Sequence, residues 1–257
     1  MEKGLNRNQI KYIVTLAMLI DHIGWAFVPT SSVAGQIMHT IGRLTGPVMA
    51  FMLVEGYLHT SNINKYLLRL GLFALISWPA FVYFEYGTLP VYIFPGKYLA
   101  SQSDILAIYL STSDITLVIN HAFGVIYTLF LGLVAVRVYD EKKYKKWTKV
   151  ILIALTGAAS LLGDWPLYDV VFPLLFFIYH DDIKSKWRIY SSIMLVFTIE
   201  SVYSVGIMGL FQAGTLLVPL LLHFYNGQPG KKTCFNKWFF YIFYPVHLVT
   251  IGLLRWL

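Results

Sequence analysis

The feature that most constrains this chain is the recurrence of long apolar runs, cut at intervals by lysine and arginine. Nine such segments can be read, at roughly 10–28, 37–58, 65–85, 117–138, 148–163, 167–180, 187–204, 208–225 and 237–256. About 20 apolar residues are enough to carry a helix across a bilayer. A helix is also the only open-ended element that satisfies its own backbone there. Composition agrees: 57% of residues are hydrophobic and 13% charged, against about 25% charged in a typical globular protein. The expected fold class is therefore an all-α integral membrane protein, a bundle of about nine transmembrane helices. Residues 1–257 are read as a single domain, because so many spans leave no length for a soluble one.

The distribution of charge predicts an orientation. A net charge of +7 would suggest a nucleic-acid partner in a soluble protein. Here the basic residues fall between apolar runs, where they orient helices, and no nucleic acid is expected. One set of loops carries Lys3, Arg7 and Lys11, then Lys65 and Arg69, then Arg137, Lys142, Lys143, Lys145, Lys146 and Lys149, then Lys184, Lys186 and Arg188, then Lys231, Lys232 and Lys237. The other set carries only Lys97 and Arg255. An odd number of spans then places the N-terminus in the cytoplasm and the C-terminus outside it. The polar opening MEKGLNRNQIKY is followed by no small-residue cleavage site, so the first run reads as a span rather than a signal peptide. The long loop at about 86–116 falls outside, with a short surface helix expected near Ser101–Tyr109. The single cysteine, Cys234, reads as a free thiol.

A charge at the bilayer centre costs about 2.5 to 3.5 kcal/mol on insertion scales, so ionisable groups within spans are candidates for function. Asp21 and His22 lie in the first span, Arg43 in the second, His247 in the last. At about 1.5 Å per residue, His22 and Arg43 sit roughly 9 Å and His247 roughly 13 Å below the outer surface, depths that allow one shared polar centre. A neutral imidazole is an effective proton acceptor at cellular pH, which makes His22 the candidate base. Asp21 either pairs with Arg43 or orients the acceptor; as its neighbour on a helix it points about 100° away from His22. Glu55 and His59 stand four apart and share a face near the basic end, and Glu200 is expected to be solvated.

Five segments carry a resemblance. They are Met18-Leu-Ile-Asp-His-Ile-Gly24, Ile41-Gly-Arg-Leu-Thr-Gly-Pro47, Glu55-Gly-Tyr-Leu-His-Thr60, Lys65-Tyr-Leu-Leu-Arg-Leu70 and Lys237 to Leu248, the last containing Tyr244-Pro245-Val246-His247. In this order, over nearly the whole chain, they resemble the TraX family, whose namesake is the pilin acetylase of conjugation systems. The family looks like a branch of the transmembrane acyltransferases. The resemblance implies a multi-pass protein of the inner (cytoplasmic) membrane that takes an acetyl group from cytoplasmic acetyl-CoA.

On that expectation His22 is general base or acetyl carrier, Arg43 stabilises the oxyanion, and Asp21 and His247 complete the catalytic set. Glu55, His59, Lys65, Arg69 and Tyr244 are the substrate-binding candidates, with Lys65 and Arg69 holding the nucleotide. The partners are acetyl-CoA, the lipid bilayer and an acceptor left open between a peptide N-terminus and a surface glycan; no metal is expected. Two rivals use the same residues. A transporter or flippase would bind solute or relay protons through them, and an assembly factor would keep them for structure alone.

Overall fold

A computed structural model of the chain describes residues 4–95, 107–111, 115–120 and 122–257. Among these residues the elements are helical apart from one small sheet. The helices are α1 (Arg7–Phe27), α2 (Val33–Gly42), α3 (Thr45–Leu58), α4 (Ile63–Tyr86), α5 (Val125–Asp140), α6 (Lys146–Ser160), α7 (Tyr168–Ile178), α8 (Ile183–Val205), α9 (Val218–His223) and α10 (Cys234–Trp256), with a 3₁₀ segment at Gly206–Leu217. Among the described residues, five stretches are long and apolar enough to cross a membrane: Arg7–Phe27, Val33–Leu58, Ile63–Tyr86, Ile183–His223 and Trp238–Trp256. The protein is thus a multi-pass membrane protein. The expected spans at 117–138, 148–163 and 167–180 correspond to shorter helices, of 16, 15 and 11 residues.

Several helices begin a few residues before the apolar run that marks them, because a polar side chain caps each start. Asn6 and Gln9 form a reciprocal capping box at α1. Ser32, Asn62, Asp182 and Thr233 accept backbone N–H bonds at the heads of α2, α4, α8 and α10. The Ser185 hydrogen bonds also hold the Asp182 carboxyl below its ordinary range.

Two apolar stretches are folded rather than straight. Val33–Leu58 breaks at Arg43 and Leu44, between α2 and α3. Ile183–His223 reverses at Gly206, whose φ of +67° favours glycine, and the 3₁₀ segment packs back along α8.

The largest correction concerns 86–120. Strands β1 (Val91–Pro95), β2 (Ala107–Ser111) and β3 (Ile115–Asn120) form an antiparallel sheet in the order β1-β3-β2. Val91 pairs with Ile119 and Ala107 with Asn120. The expected surface helix therefore gives way to a strand at Ala107–Ser111, and its earlier part, 101–106, lies outside the described residues. The expected span at 117–138 begins as β3, and helix α5 starts only at Val125. A short apolar run rich in β-branched residues does not reveal its period, and Ile115, Thr116, Val118 and Ile119 favour a strand.

The interior is built from Ile10 and Val14 of α1, Val48 of α3, Leu133 of α5, Phe172 of α7, Tyr190 of α8 and Leu248 of α10, all fully buried. Apolar side chains also cover the outside: Leu68 and Ile76 of α4, Ile151 and Leu155 of α6, Val196 of α8 and Leu254 of α10 are exposed. Such an exterior suits lipid, where packing rather than apolar burial holds helices together. Helices α1, α3, α4, α5 and α10 pack around the region where the polar residues meet.

Candidate functional site

Successive residues of a helix point about 100° apart, so Asp21 and His22 face different neighbours. Asp21 turns to α2. Its Oδ1 accepts a hydrogen bond from His39 Nδ1 at 2.8 Å and its Oδ2 from Arg43 Nη2 at 2.7 Å. His39 in the last turn of α2 and Arg43 at its C-cap stand four apart and so reach the same carboxylate. The approach requires a glycine between them: a Cβ on Gly42 would lie 2.2 Å from Asp21 Cγ. All three side chains are buried.

Aromatic rings complete the cluster. The Arg43 guanidinium carbon lies 5.2 Å from the ring centroids of both Trp165 and Phe211, and Trp25 packs on His39 with centroids 4.2 Å apart. Trp165 sits at φ +55° and Leu167 at +66°. Such conformations cost a non-glycine residue on the order of 1–3 kcal/mol. The loop that bears them is clamped by Phe123, whose N–H donates to Leu162 O and whose carbonyl accepts from Asp164 N.

His22 turns to α10. His22 Nδ1 and His247 Nε2 are 2.9 Å apart, and His247 Nδ1 lies 2.8 Å from the Phe243 carbonyl oxygen. A carbonyl only accepts, so His247 carries its proton on Nδ1 and, when neutral, offers a lone pair at Nε2. His22 must then donate from Nδ1, which leaves its Nε2 unprotonated. Phe84 packs edge-on against the His22 ring at 5.1 Å, and Phe243 stacks on His247 at 4.7 Å.

A cavity of about 210 Å³ opens on this centre, lined by Asp21, His22, Arg43, Phe84, Glu85 and Asp164 among others. A second, of about 380 Å³, runs toward the end of the bundle that bears Arg7, Lys11, His59 and Arg69, and is walled by methionine, leucine and aromatic side chains, Tyr244 included. Met18, Thr45, Gly46 and Val125 line both.

The expected site residues thus separate. Asp21, His22 and Arg43 share one cavity, His247 reaches it through His22, and His59, Arg69 and Tyr244 line the other. Two of the expected residues stand away from the cavities. Glu55 lines neither; it accepts a hydrogen bond from Tyr225 at 3.1 Å, and its backbone carbonyl lies 2.8 Å from His59 Nδ1. Lys65 is exposed and lines neither cavity; Arg7 and Lys11 stand where it was expected. Four further residues join the site beyond those expected: His39, Glu85, Asp164 and Trp165. Only His39 offered a signal, its spacing of four from Arg43.

A family model described as TraX protein matches residues 6–255. The chain belongs to the TraX family. A relative within reach of this TraX chain is the probable fimbrial assembly protein FimC, serogroup H1, of Dichelobacter nodosus. It is 30% identical over 249 residues, which are 95% of this chain and 93% of the relative. No solved structure matches this TraX family member.

Proposed function

We propose that this TraX family protein is a membrane-embedded acetyltransferase, with acetyl-CoA as donor. The observation that carries the reading is the 2.9 Å contact between His22 Nδ1 and His247 Nε2 in a side chain that lines the cavity: with the His247 proton on Nδ1 toward the Phe243 carbonyl, His22 Nε2 is left with its lone pair. That is the state a general base or a nucleophile requires.

In this reading the phosphates of the donor rest among Arg7, Lys11 and Arg69, and the pantetheine arm follows the larger, mostly apolar cavity past Tyr244. The acceptor arrives through the smaller cavity. The carboxylates of Glu85 and Asp164 there favour an amine, such as a peptide N-terminus, over a sugar hydroxyl. The name of the fimbrial relative is in keeping with a pilin-like peptide.

The acceptor nitrogen attacks the thioester carbonyl, forming C–N as C–S breaks. His22 Nε2 takes the proton from nitrogen and returns it to the departing thiolate. In the two-step variant Nε2 attacks first and carries the acetyl group to the acceptor. Arg43, held by Asp21 and flanked by two aromatic rings, would stabilise the oxyanion, a role worth about 3 to 4 kcal/mol for a well-placed donor.

The topology belongs to the same proposal. The Lys and Arg distribution supports nine crossings of the cytoplasmic membrane, with the N-terminus inside and the C-terminus outside, so that the basic mouth meets cytoplasmic acetyl-CoA. A second reading, a transporter or flippase, draws support from the wall residues the two cavities share.

The test is transfer by the purified protein in liposomes with acetyl-labelled CoA, following CoA release and label on the protein beside His22→Ala. CoA release that needs His22 establishes the transferase, and retained label selects the two-step route. A folded protein that neither binds nor turns over acetyl-CoA would shift the weight to solute flux.

A further inference from the structure

The two cavities are separate volumes with a common wall. Among the described residues four line both: Met18 of α1, Thr45 and Gly46 at the head of α3, and Val125 at the head of α5. On one side lies the mouth with Arg7, Lys11 and Arg69; on the other lie His22, Glu85 and Asp164. The direct route from the basic mouth to His22 through the two cavities runs past these four.

Gly46 is the smallest of them and faces the Trp165 ring. A Cβ there would meet that ring at 3.6 to 3.8 Å and nothing nearer. An alanine therefore fits without displacement, whereas a longer side chain must crowd the Trp165 ring, which itself lines the smaller cavity. Met18, on the facing helix, is half-buried and carries three rotatable bonds, so it can yield to a passing group. Thr45 is less free, because its hydroxyl donates to the Val14 carbonyl at 3.1 Å.

We infer that Met18, Thr45, Gly46 and Val125 form a neck joining the two cavities, and that Gly46, by lacking a side chain, holds it open between the basic mouth and His22. Gly46 thereby sets the width of any group delivered to His22. The inference rests on the cavities and not on acyl transfer, and it applies equally if the cargo is a solute.

The experiment reads access rather than turnover. In a Cys234→Ser background, His22→Cys and, separately, Met49→Cys place one thiol beyond the neck and one before it; Met49 lines only the larger cavity. An anionic, membrane-impermeant thiosulfonate, 2-sulfonatoethyl methanethiosulfonate, is added to liposomes from the face bearing Arg7 and Lys11. Labelling at position 22 should proceed with Gly46 in place. Gly46→Leu should slow it about tenfold or more, the effect of roughly 1.4 kcal/mol of added barrier, while labelling at position 49 keeps its rate. Gly46→Ala should fall between. Met18→Phe narrows the same neck from the opposite wall and serves if the leucine variant does not fold. The inference is overturned if folded variants label position 22 at the parental rate. It is equally overturned if position 22, reactive in detergent, is never reached from the basic face with Gly46 present. Acetyl-CoA turnover by the Gly46 variants with His22 intact is scored separately, so an open neck without transfer would refute the enzyme and leave the neck standing.

Discussion

Two histidines of the same bundle have taken opposite environments. His22 and His39 both bond through Nδ1 to one partner. His39 meets a carboxylate, is fully buried and lines neither cavity. His22 meets a second imidazole and opens on the cavity. What separates them is access. The His39 Nε2 is buried with no hydrogen-bond partner among the described residues, whereas the His22 side chain lines a cavity with space for a reactant. The Asp21 cluster is accordingly read as a device that holds Arg43, and the His22–His247 pair as the chemistry.

Substitutions that break this contrast should differ in kind. The largest effect is expected from His22→Ala, which should lower acetyl transfer by about 10² to 10⁴, the usual contribution of a general base, with the melting temperature of the purified protein almost unmoved. Unchanged turnover would end the assignment. Asp21→Ala should do the reverse, costing about 3 to 5 kcal/mol of stability because it strands the buried Arg43 charge; thermal melting in detergent measures this. A stable Asp21→Ala protein would mean that Arg43 finds another partner.

His247→Ala should cost less than His22→Ala, on the order of 10- to 100-fold, the range lost when a partner that orients a histidine is removed. Because it frees the His22 tautomer, its ¹⁵N imidazole shifts should change where those of His39 stay fixed. If His39 moves instead, the two sites are coupled and the contrast fails. The smallest effect is expected from Tyr225→Phe, which removes one hydrogen bond to Glu55 for about 1 kcal/mol and leaves transfer intact. Lost transfer there would return Glu55 to the substrate path.

Much of the site could be read along the chain because membrane cost makes its residues conspicuous. Asp21, His22, Arg43 and His247 stand out as polar groups within apolar runs. His39 was missed although it lies in the same kind of run, and its partner Asp21 was already in view. Glu85 and Asp164 stand at helix ends and loops, where a carboxylate is ordinary, and nothing local shows that they line a cavity. Lys65 stands one turn from Arg69 on α4 and shares its face, yet its side chain is exposed and lines neither cavity, which only the packing around α4 decides. The sheet at Val91–Asn120 was hidden for another reason, since its last strand runs into the apolar start of α5.

The sequence alone determined that this chain is a membrane protein of helices and which few polar groups must be accounted for within it. Both follow from transfer energies, which depend on residue type and local period and need no knowledge of neighbours. Only the tertiary structure decided that Asp21 serves Arg43 and His39 rather than His22, that His247 sets the proton on His22, and that two cavities meet at Gly46. Those outcomes depend on which helix faces cross, and residues 225 positions apart in the chain come within hydrogen-bond reach only when the whole bundle has closed.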